Sequence, residues 1–234
     1  MSAGQLLHTA HVPAGEGPFP TLVLLHGWGA SAHDLIGLAP MVHDGRALVL
    51  CPQGPVVMPV GGGQKGYGWF PLDPGAPPDV EAFRHGAELL RGFVDQCRAR
   101  YPMDPVATVV GGFSQGGTMA YDLALRDPTR YSGLMALSSW LPAPLVDDLP
   151  RLPEQADLPV LIVHGTADPR VDVERARESR EALRAFGVGI TYRELDMGHE
   201  ICPEALRVVM RWLEERAFSR AAGRPAGGAP PGRS

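Results

Sequence analysis

Short, nearly unbroken apolar runs alternate along this chain with longer segments that carry only one apolar stripe. Residues 21–25, 46–52, 106–110, 131–137 and 158–165 are mostly apolar, too short for ordinary helices, and read as buried strands. Residues 189–195, with Arg193 and Glu194, read as another strand. His8 and His11 fall in a further strand near the amino terminus. Between the runs, residues 79–101 place Val80, Phe83, Ala87, Leu90 and Val94 at helical spacing, with Asp79 as N-cap. Residues 117–126 form a helix that Pro128 stops. A third helix covers 172–186. Pro203 opens a last one, with Ala205, Leu206, Val208, Val209, Trp212 and Leu213 on its apolar side. Strands alternating with helices predict one α/β domain over residues 1–217, its mostly parallel central sheet covered by helices on both faces. No internal repeat interrupts this order. From Phe218 onward the composition is Ala, Gly, Pro and Arg without an acidic residue, so residues 218–234 are expected to be a disordered tail.

The most informative chemistry lies where the run 106–110 meets the helix that follows it. Gly112-Phe113-Ser114-Gln115-Gly116 is a G-x-S-x-G pentapeptide between a strand and a helix. In that context it predicts a nucleophile elbow: a strained turn that presents the Ser114 hydroxyl at a helix N-terminus, where an oxyanion is stabilised. A serine in an ordinary Gly-rich turn is the plainer alternative, and the flanking strand and helix argue against it.

A nucleophilic serine needs a base, and the base needs an orienting acid. Asp168 lies just beyond the strand 158–165, and His199 opens the loop after the strand 189–195. Ser114, Asp168 and His199 thus all sit past the carboxyl ends of strands, where open α/β sheets place their sites. Asp172 and Asp196 compete for the acid. Asp172 reads better as a helix cap and Asp196 as strand-proximal. Among the other histidines, His33, His43 and His85 read as solvated, and His164 as a structural hydrogen-bonding residue. The early run 21–25 ends in His26-Gly27-Trp28-Gly29. The backbone N–H groups of Trp28 and Gln115 are the expected oxyanion donors. His26 then reads as a turn-stabilising side chain rather than a second base.

Two Gly/Pro-rich loops flank this constellation. Residues 54–78 carry Val57, Met58, Tyr67, Trp69 and Phe70, and residues 139–159 carry Trp140, Leu141 and Leu145. Trp69, Phe70, Trp140 and Leu141 are candidate substrate-binding residues. The competing reading is that Trp69 and Phe70 pin their loop to the body of the protein. No acidic or Arg cluster lies there, which favours an uncharged acyl group.

The ensemble resembles the carboxylesterase, lysophospholipase and acyl-protein thioesterase family of α/β-hydrolases. The resemblance is carried by Leu25-His26-Gly27-Trp28-Gly29, Gly112-Phe113-Ser114-Gln115-Gly116-Gly117, Leu137-Ser138-Ser139-Trp140-Leu141-Pro142, His164-Gly165-Thr166-Ala167-Asp168-Pro169-Arg170-Val171 and Met197-Gly198-His199-Glu200. These fall in the family's order across residues 18–217. The resemblance implies a compact esterase without a large lid domain, working through an acyl-enzyme and requiring no cofactor. Acyl-protein thioesterase or lysophospholipase-like activity is the near alternative. A catalytically silent hydrolase-fold binding protein is a reading from another class, and a small peptidase or dienelactone-type hydrolase is a third. One segment departs from the family pattern: Gly66 stands where relatives often carry Met, and Tyr67 where they carry Arg. A glycine there either shortens the acyl site or opens a tunnel.

Composition narrows the partners. A formal charge of −5 over 234 residues, with no basic block outside the tail, argues against nucleic acid. No apolar run approaches the ~20 residues of a membrane span. The first residues lack the basic and apolar regions of a signal peptide. Cys51, Cys97 and Cys202 are odd in number and widely spaced, as expected of reduced thiols in a cytoplasmic protein. Cys202 and His199 are three positions apart but have no second pair, so no metal is expected. The expected partner is a small-molecule ester, and the expected assembly a monomer or homodimer.

Overall fold

The computed structural model describes residues 5–72 and 79–219. Nine strands and five α-helices run among these residues in the order β1 (His8–His11), β2 (Phe19–Leu25), β3 (Leu48–Pro52), β4 (Val56–Gly61), β5 (Gln64–Gly68), α1 (Val80–Arg100), β6 (Met103–Phe113), α2 (Gln115–Arg126), β7 (Gly133–Leu137), α3 (Ala143–Asp148), β8 (Val160–Gly165), α4 (Val173–Ala185), β9 (Ile190–Leu195) and α5 (Pro203–Trp212). Seven strands form one sheet in the order β1-β3-β2-β6-β7-β8-β9. Only β1 is antiparallel to its neighbour.

Strand alternation explains why the runs in β2, β3, β6, β7 and β8 are almost wholly apolar, whereas β9 at the sheet edge is not. Val23, Leu25, Leu48, Leu50, Val110, Ala136, Val160 and Ile162 face one layer, packed with Phe83, Leu90 and Phe93 of α1, Met119 of α2 and Leu183 of α4. Leu22, Leu24, Val49, Val109, Met135, Leu137, Leu161 and Val163 face the other, packed with Val42, with Val209 and Trp212 of α5 and with Phe218. Successive residues point to opposite faces, so a strand covered on both sides can spare no polar position. The expected helical starts hold as well. Asp79 caps α1 through Ala82 N–H, and Asp172 caps α4 through Glu174 N–H.

Two expectations need correction. Residues 54–78 are not a featureless loop. Within them β4 and β5 pair as an antiparallel hairpin. Its residues are mostly exposed at the far end, and Pro59 with the run Gly61-Gly62-Gly63 hides the alternation in the sequence. Residues 73–78 lie outside the described residues. The tail boundary drawn at Phe218 falls inside a π-helical turn, Leu213–Phe218, that continues α5. Phe218 is buried and stacks edge-on against His43, 5.8 Å between ring centres. Residues 220–234 of the expected tail lie outside the described residues.

An ion-pair chain ties the segment after β7 to the helices beneath it. The nearly buried Asp122 of α2 accepts from Arg126 at 2.6 Å and from Arg91 of α1 at 3.1 Å. Arg126 also pairs with Asp148 at the end of α3, and Arg84 of α1 donates to the same carboxylate. The segment carrying Trp140 and Leu141 is thereby anchored to α2, whose first turn follows Ser114.

Candidate active site

Ser114 occupies the turn between β6 and α2 with φ 53° and ψ −121°. This is a left-handed conformation that a non-glycine residue adopts only under constraint. The constraint is visible. Its N–H donates to Leu137 O at 2.8 Å, and its carbonyl accepts from Gly117 N–H at 3.0 Å. Its hydroxyl makes no capping bond to the helix. The turn closes so tightly that a Cβ on Gly112 would lie 2.2 Å from the Gly116 carbonyl carbon, and one on Gly116 would lie 2.1 Å from Leu25 O. Glycine is therefore required at both positions.

The expected acid and base meet. His199 Nδ1 donates to Asp168 Oδ2 at 2.8 Å. Because the carboxylate accepts the hydrogen bond of Nδ1–H, the tautomer with its proton on Nδ1 leaves the Nε2 lone pair free to accept another proton. Asp168 is itself held on both oxygens. Oδ1 accepts the N–H groups of Arg170 and Val171 at 2.8 and 2.9 Å. Burial pushes the carboxyl pKa up, but the Val171 N–H, the His199 imidazole and the Arg170 N–H together outweigh it and hold it below the usual carboxylate range. The His199 ring packs 4.8 Å from that of Phe113, the residue before Ser114. No hydrogen bond joins Ser114 to His199 among the described residues. In free enzymes such bonds are often long and tighten when substrate binds.

The competing residues are occupied elsewhere. Asp172 caps α4, and Asp196 is exposed. His164 is fully buried, donates from Nε2 to Val171 O at 2.8 Å, and lies 3.5 Å from Asp168 Oδ2. It lies behind Asp168, on the chain that carries it. His26 Nε2 accepts the Gly54 N–H at 3.0 Å, and Nδ1 therefore donates to Gly27 O. Burial lowers its pKa, against the smaller opposing effects of the Gly27 carbonyl and Asp34. It is a neutral staple of the turn. Cys202 Sγ accepts the Ala205 N–H at the start of α5.

The loop carrying Trp28 lies beside the elbow: a Cβ on Gly27 would be 3.4 Å from Ser114 Cβ. Trp28 is 37 % exposed. The candidate substrate-binding residues are less open. Trp69 and Phe70 are 1 % and 0 % exposed; Trp69 Nε1 donates to His26 O, and Phe70 packs edge-on against Phe83. Both pin the chain after β5 to the core, which is the competing reading of these aromatics and a correction to their place among residues open to a substrate. Trp140 and Leu141 are 8 % and 6 % exposed. The Trp140 carbonyl accepts from Thr118, and the Leu141 N–H donates to Ser179. A Cβ on Gly66 would meet Gly29 O at 2.3 Å and Val60 Cγ1 at 2.5 Å, so the space is already filled.

Sequence reasoning assigned Gln115 only its backbone N–H. Its buried carboxamide in fact spans the chain after β5: Oε1 accepts the Trp69 N–H at 2.8 Å, and Nε2 donates to Phe70 O at 2.7 Å. A long polar side chain in a stretch as tightly packed as Gly111 to Gly117 was the available signal, because buried amides are satisfied.

Residues 9–216 match the profile of the Phospholipase/Carboxylesterase family. The chain belongs to that family. An acyl-protein thioesterase 1 of Gibberella zeae is 27 % identical over 92 % of this chain and 98 % of that protein. One of Neurospora crassa is 28 % identical over 88 % and 90 %. Among solved structures, the esterase PE8 superposes with a TM-score of 0.78 at 27 % identity, covering 91 % of this chain and 99 % of that one. The acyl-protein thioesterase 2 of Zea mays gives 0.71 at 26 % identity, over 90 % and 100 %. The fold is the α/β-hydrolase fold without a large lid domain, and members of the Phospholipase/Carboxylesterase family are hydrolases. Among the described residues no helix is long and apolar enough to cross a membrane.

Proposed function

We propose that this family member is a serine hydrolase that cleaves carboxylic esters of uncharged, short to medium acyl groups through an acyl-enzyme. The observation that carries the reading is the hydrogen-bonded His199–Asp168 pair beside the strained Ser114 elbow. His199 Nε2 takes the hydroxyl proton as Ser114 Oγ bonds to the acyl carbon. The carbonyl electron pair becomes an oxyanion, held by the N–H groups of Gln115 and Trp28. Collapse of this intermediate expels the leaving group, which takes the proton from Nε2. Water then repeats the cycle on the acyl-enzyme. Asp168 fixes the imidazole tautomer and stabilises the imidazolium. No step needs a cofactor. Three unpaired thiols, two of them buried, suit a cytoplasmic setting.

Limited acyl length fits the filled space at Gly66 and the near-complete burial of Trp140 and Leu141, which leaves these side chains little apolar surface to offer a long chain. Each further CH₂ gains about 0.8 kcal/mol only while room remains to bury it. A p-nitrophenyl ester series from acetate to palmitate should peak between C2 and C8. The named relatives favour a second reading, acyl-thioester cleavage. A kcat/KM that climbs steadily to C16, with an acyl-thioester preferred over its oxygen ester, would establish that reading instead.

A further inference from the structure

Three segments distant in sequence form a closed ring around the candidate oxyanion site. The first is the elbow, Phe113 to Gln115. The second is the loop His26 to Ala30. The third is β5 with the residues that follow it. Loop and β5 are laddered by Gly29 N–H to Tyr67 O at 2.9 Å and Tyr67 N–H to Ala30 O at 2.8 Å. Trp69 Nε1 adds a third bond, to His26 O at 2.8 Å. The loop meets the elbow in van der Waals contact at Gly27, and the strands that lead into the two are paired, Leu25 of β2 against Gly112 of β6. The polar closure from β5 back to the elbow is the Gln115 carboxamide, with both ends engaged on consecutive residues, Trp69 and Phe70.

We propose that the Gln115 side chain is a positioning clamp that sets the separation of the two oxyanion donors, its own backbone N–H and that of Trp28. The proposal rests on the ester-hydrolase reading above. The elbow supplies one donor and the loop the other. The root of the loop is set by the pairing of β2 with β6, and its Trp28–Ala30 part by β5, whose following residues are fixed to the elbow by this carboxamide. A neutral amide suits the task because it offers one acceptor and one donor, as the Trp69 N–H and Phe70 carbonyl require. A carboxylate could not donate, and an apolar side chain would strand two buried backbone groups. Preorganised donors act only if they already stand where charge develops. Loosening the clamp therefore weakens transition-state binding more than substrate binding.

Gln115→Met keeps the backbone N–H and the side-chain length but neither hydrogen bond. The number of active sites is first titrated with a fluorophosphonate, and kcat and KM are then measured per active site on p-nitrophenyl butyrate. The clamp predicts a ~10–100-fold fall in kcat, as expected for displacing rather than removing one donor. KM should stay within about twofold, and the midpoint of the pH–rate curve should not move, because His199 and Asp168 are untouched. Affinity for an aryl trifluoromethyl ketone, which adds to the serine as a tetrahedral oxyanion, should fall with kcat. Where Gln115→Met fails to fold, Trp69→Phe removes the His26 bond of the same ring and trims the indole that packs against the His26 imidazole, and its kcat should fall roughly three- to tenfold. Unchanged kcat per active site in the variant that folds, whatever its thermal stability, would overturn the clamp. So would a KM rise alone or a displaced pH midpoint. A wild-type protein that the probe does not label at Ser114 would overturn the hydrolase reading first, and the clamp with it.

Discussion

Asp168→Asn tests the polar wiring of the site with a change of one atom. Oδ1 accepts two backbone N–H groups, and Oδ2 accepts one imidazole N–H. An asparagine has one acceptor oxygen and one NH₂ group. With its oxygen toward Arg170 and Val171 it keeps two bonds; turned the other way it would press NH₂ against two donors. The first orientation wins, and it presents NH₂ to His199 Nδ1. The imidazole must then accept at Nδ1 and carry its proton on Nε2, so it can no longer take the proton of Ser114. The same substitution in a well-studied serine protease triad lowers kcat about 10⁴-fold, or ~5.4 kcal/mol at 1.36 kcal/mol per tenfold. A loss of that order is expected here on p-nitrophenyl butyrate, with circular dichroism unchanged because both backbone bonds survive. Asp168→Ala lacks the amide that imposes the wrong tautomer, but leaves the Arg170 and Val171 N–H groups without their acceptor, so it should lower thermal stability more than Asp168→Asn. Asp168→Asn retaining more than a tenth of wild-type kcat would refute the assigned roles of Asp168 and His199.

The depressed pKa of Asp168 also fixes a sign in stability. Its contribution is complete above the unfolded value of about 4 and is lost as pH falls through the folded value; Asp168→Asn should therefore flatten the acid limb of Tm against pH, and an unaltered limb would contradict this. Asp122→Ala removes the buried centre of the α1–α2 ion-pair chain. About 3 kcal/mol is expected, the low end for a broken buried pair because Arg91 and Arg126 keep some solvent contact, and calorimetry should show Tm lower by ~6–12 °C. Burial pushes the Cys51 and Cys97 thiols up to about 12, whereas Cys202 is partly exposed. A disulfide reagent should therefore modify one thiol in the native protein and three after unfolding, and rapid native reaction of two or more would contradict the packing.

Much of the fold was legible because burial on two faces demands apolar residues at every strand position. The runs 21–25, 106–110 and 158–165 therefore stand out against amphipathic helices. The placement of Ser114 and Asp168 past strand ends was legible because each follows such a run, and that of His199 because it follows the shorter pattern of Ile190 to Leu195. The β4–β5 hairpin was not. It pairs with a single partner strand and leaves most of its positions in solvent, so no alternation survives around Pro59 and Gly61. Trp69 and Phe70 were ambiguous because an aromatic side chain serves a core and a cleft equally well, and only the position of Phe83 decides. The bonds of Gln115 to Trp69 and Phe70 span more than forty residues of sequence, and no local pattern records them.

The central claim is that Ser114 is the nucleophile. Reaction with a fluorophosphonate followed by intact-mass measurement and peptide mapping tests it most directly. The account predicts one adduct per chain, located on Ser114, lost in Ser114→Ala and formed far more slowly in His199→Ala. An adduct on another residue, or labelling that persists in folded Ser114→Ala, would contradict it.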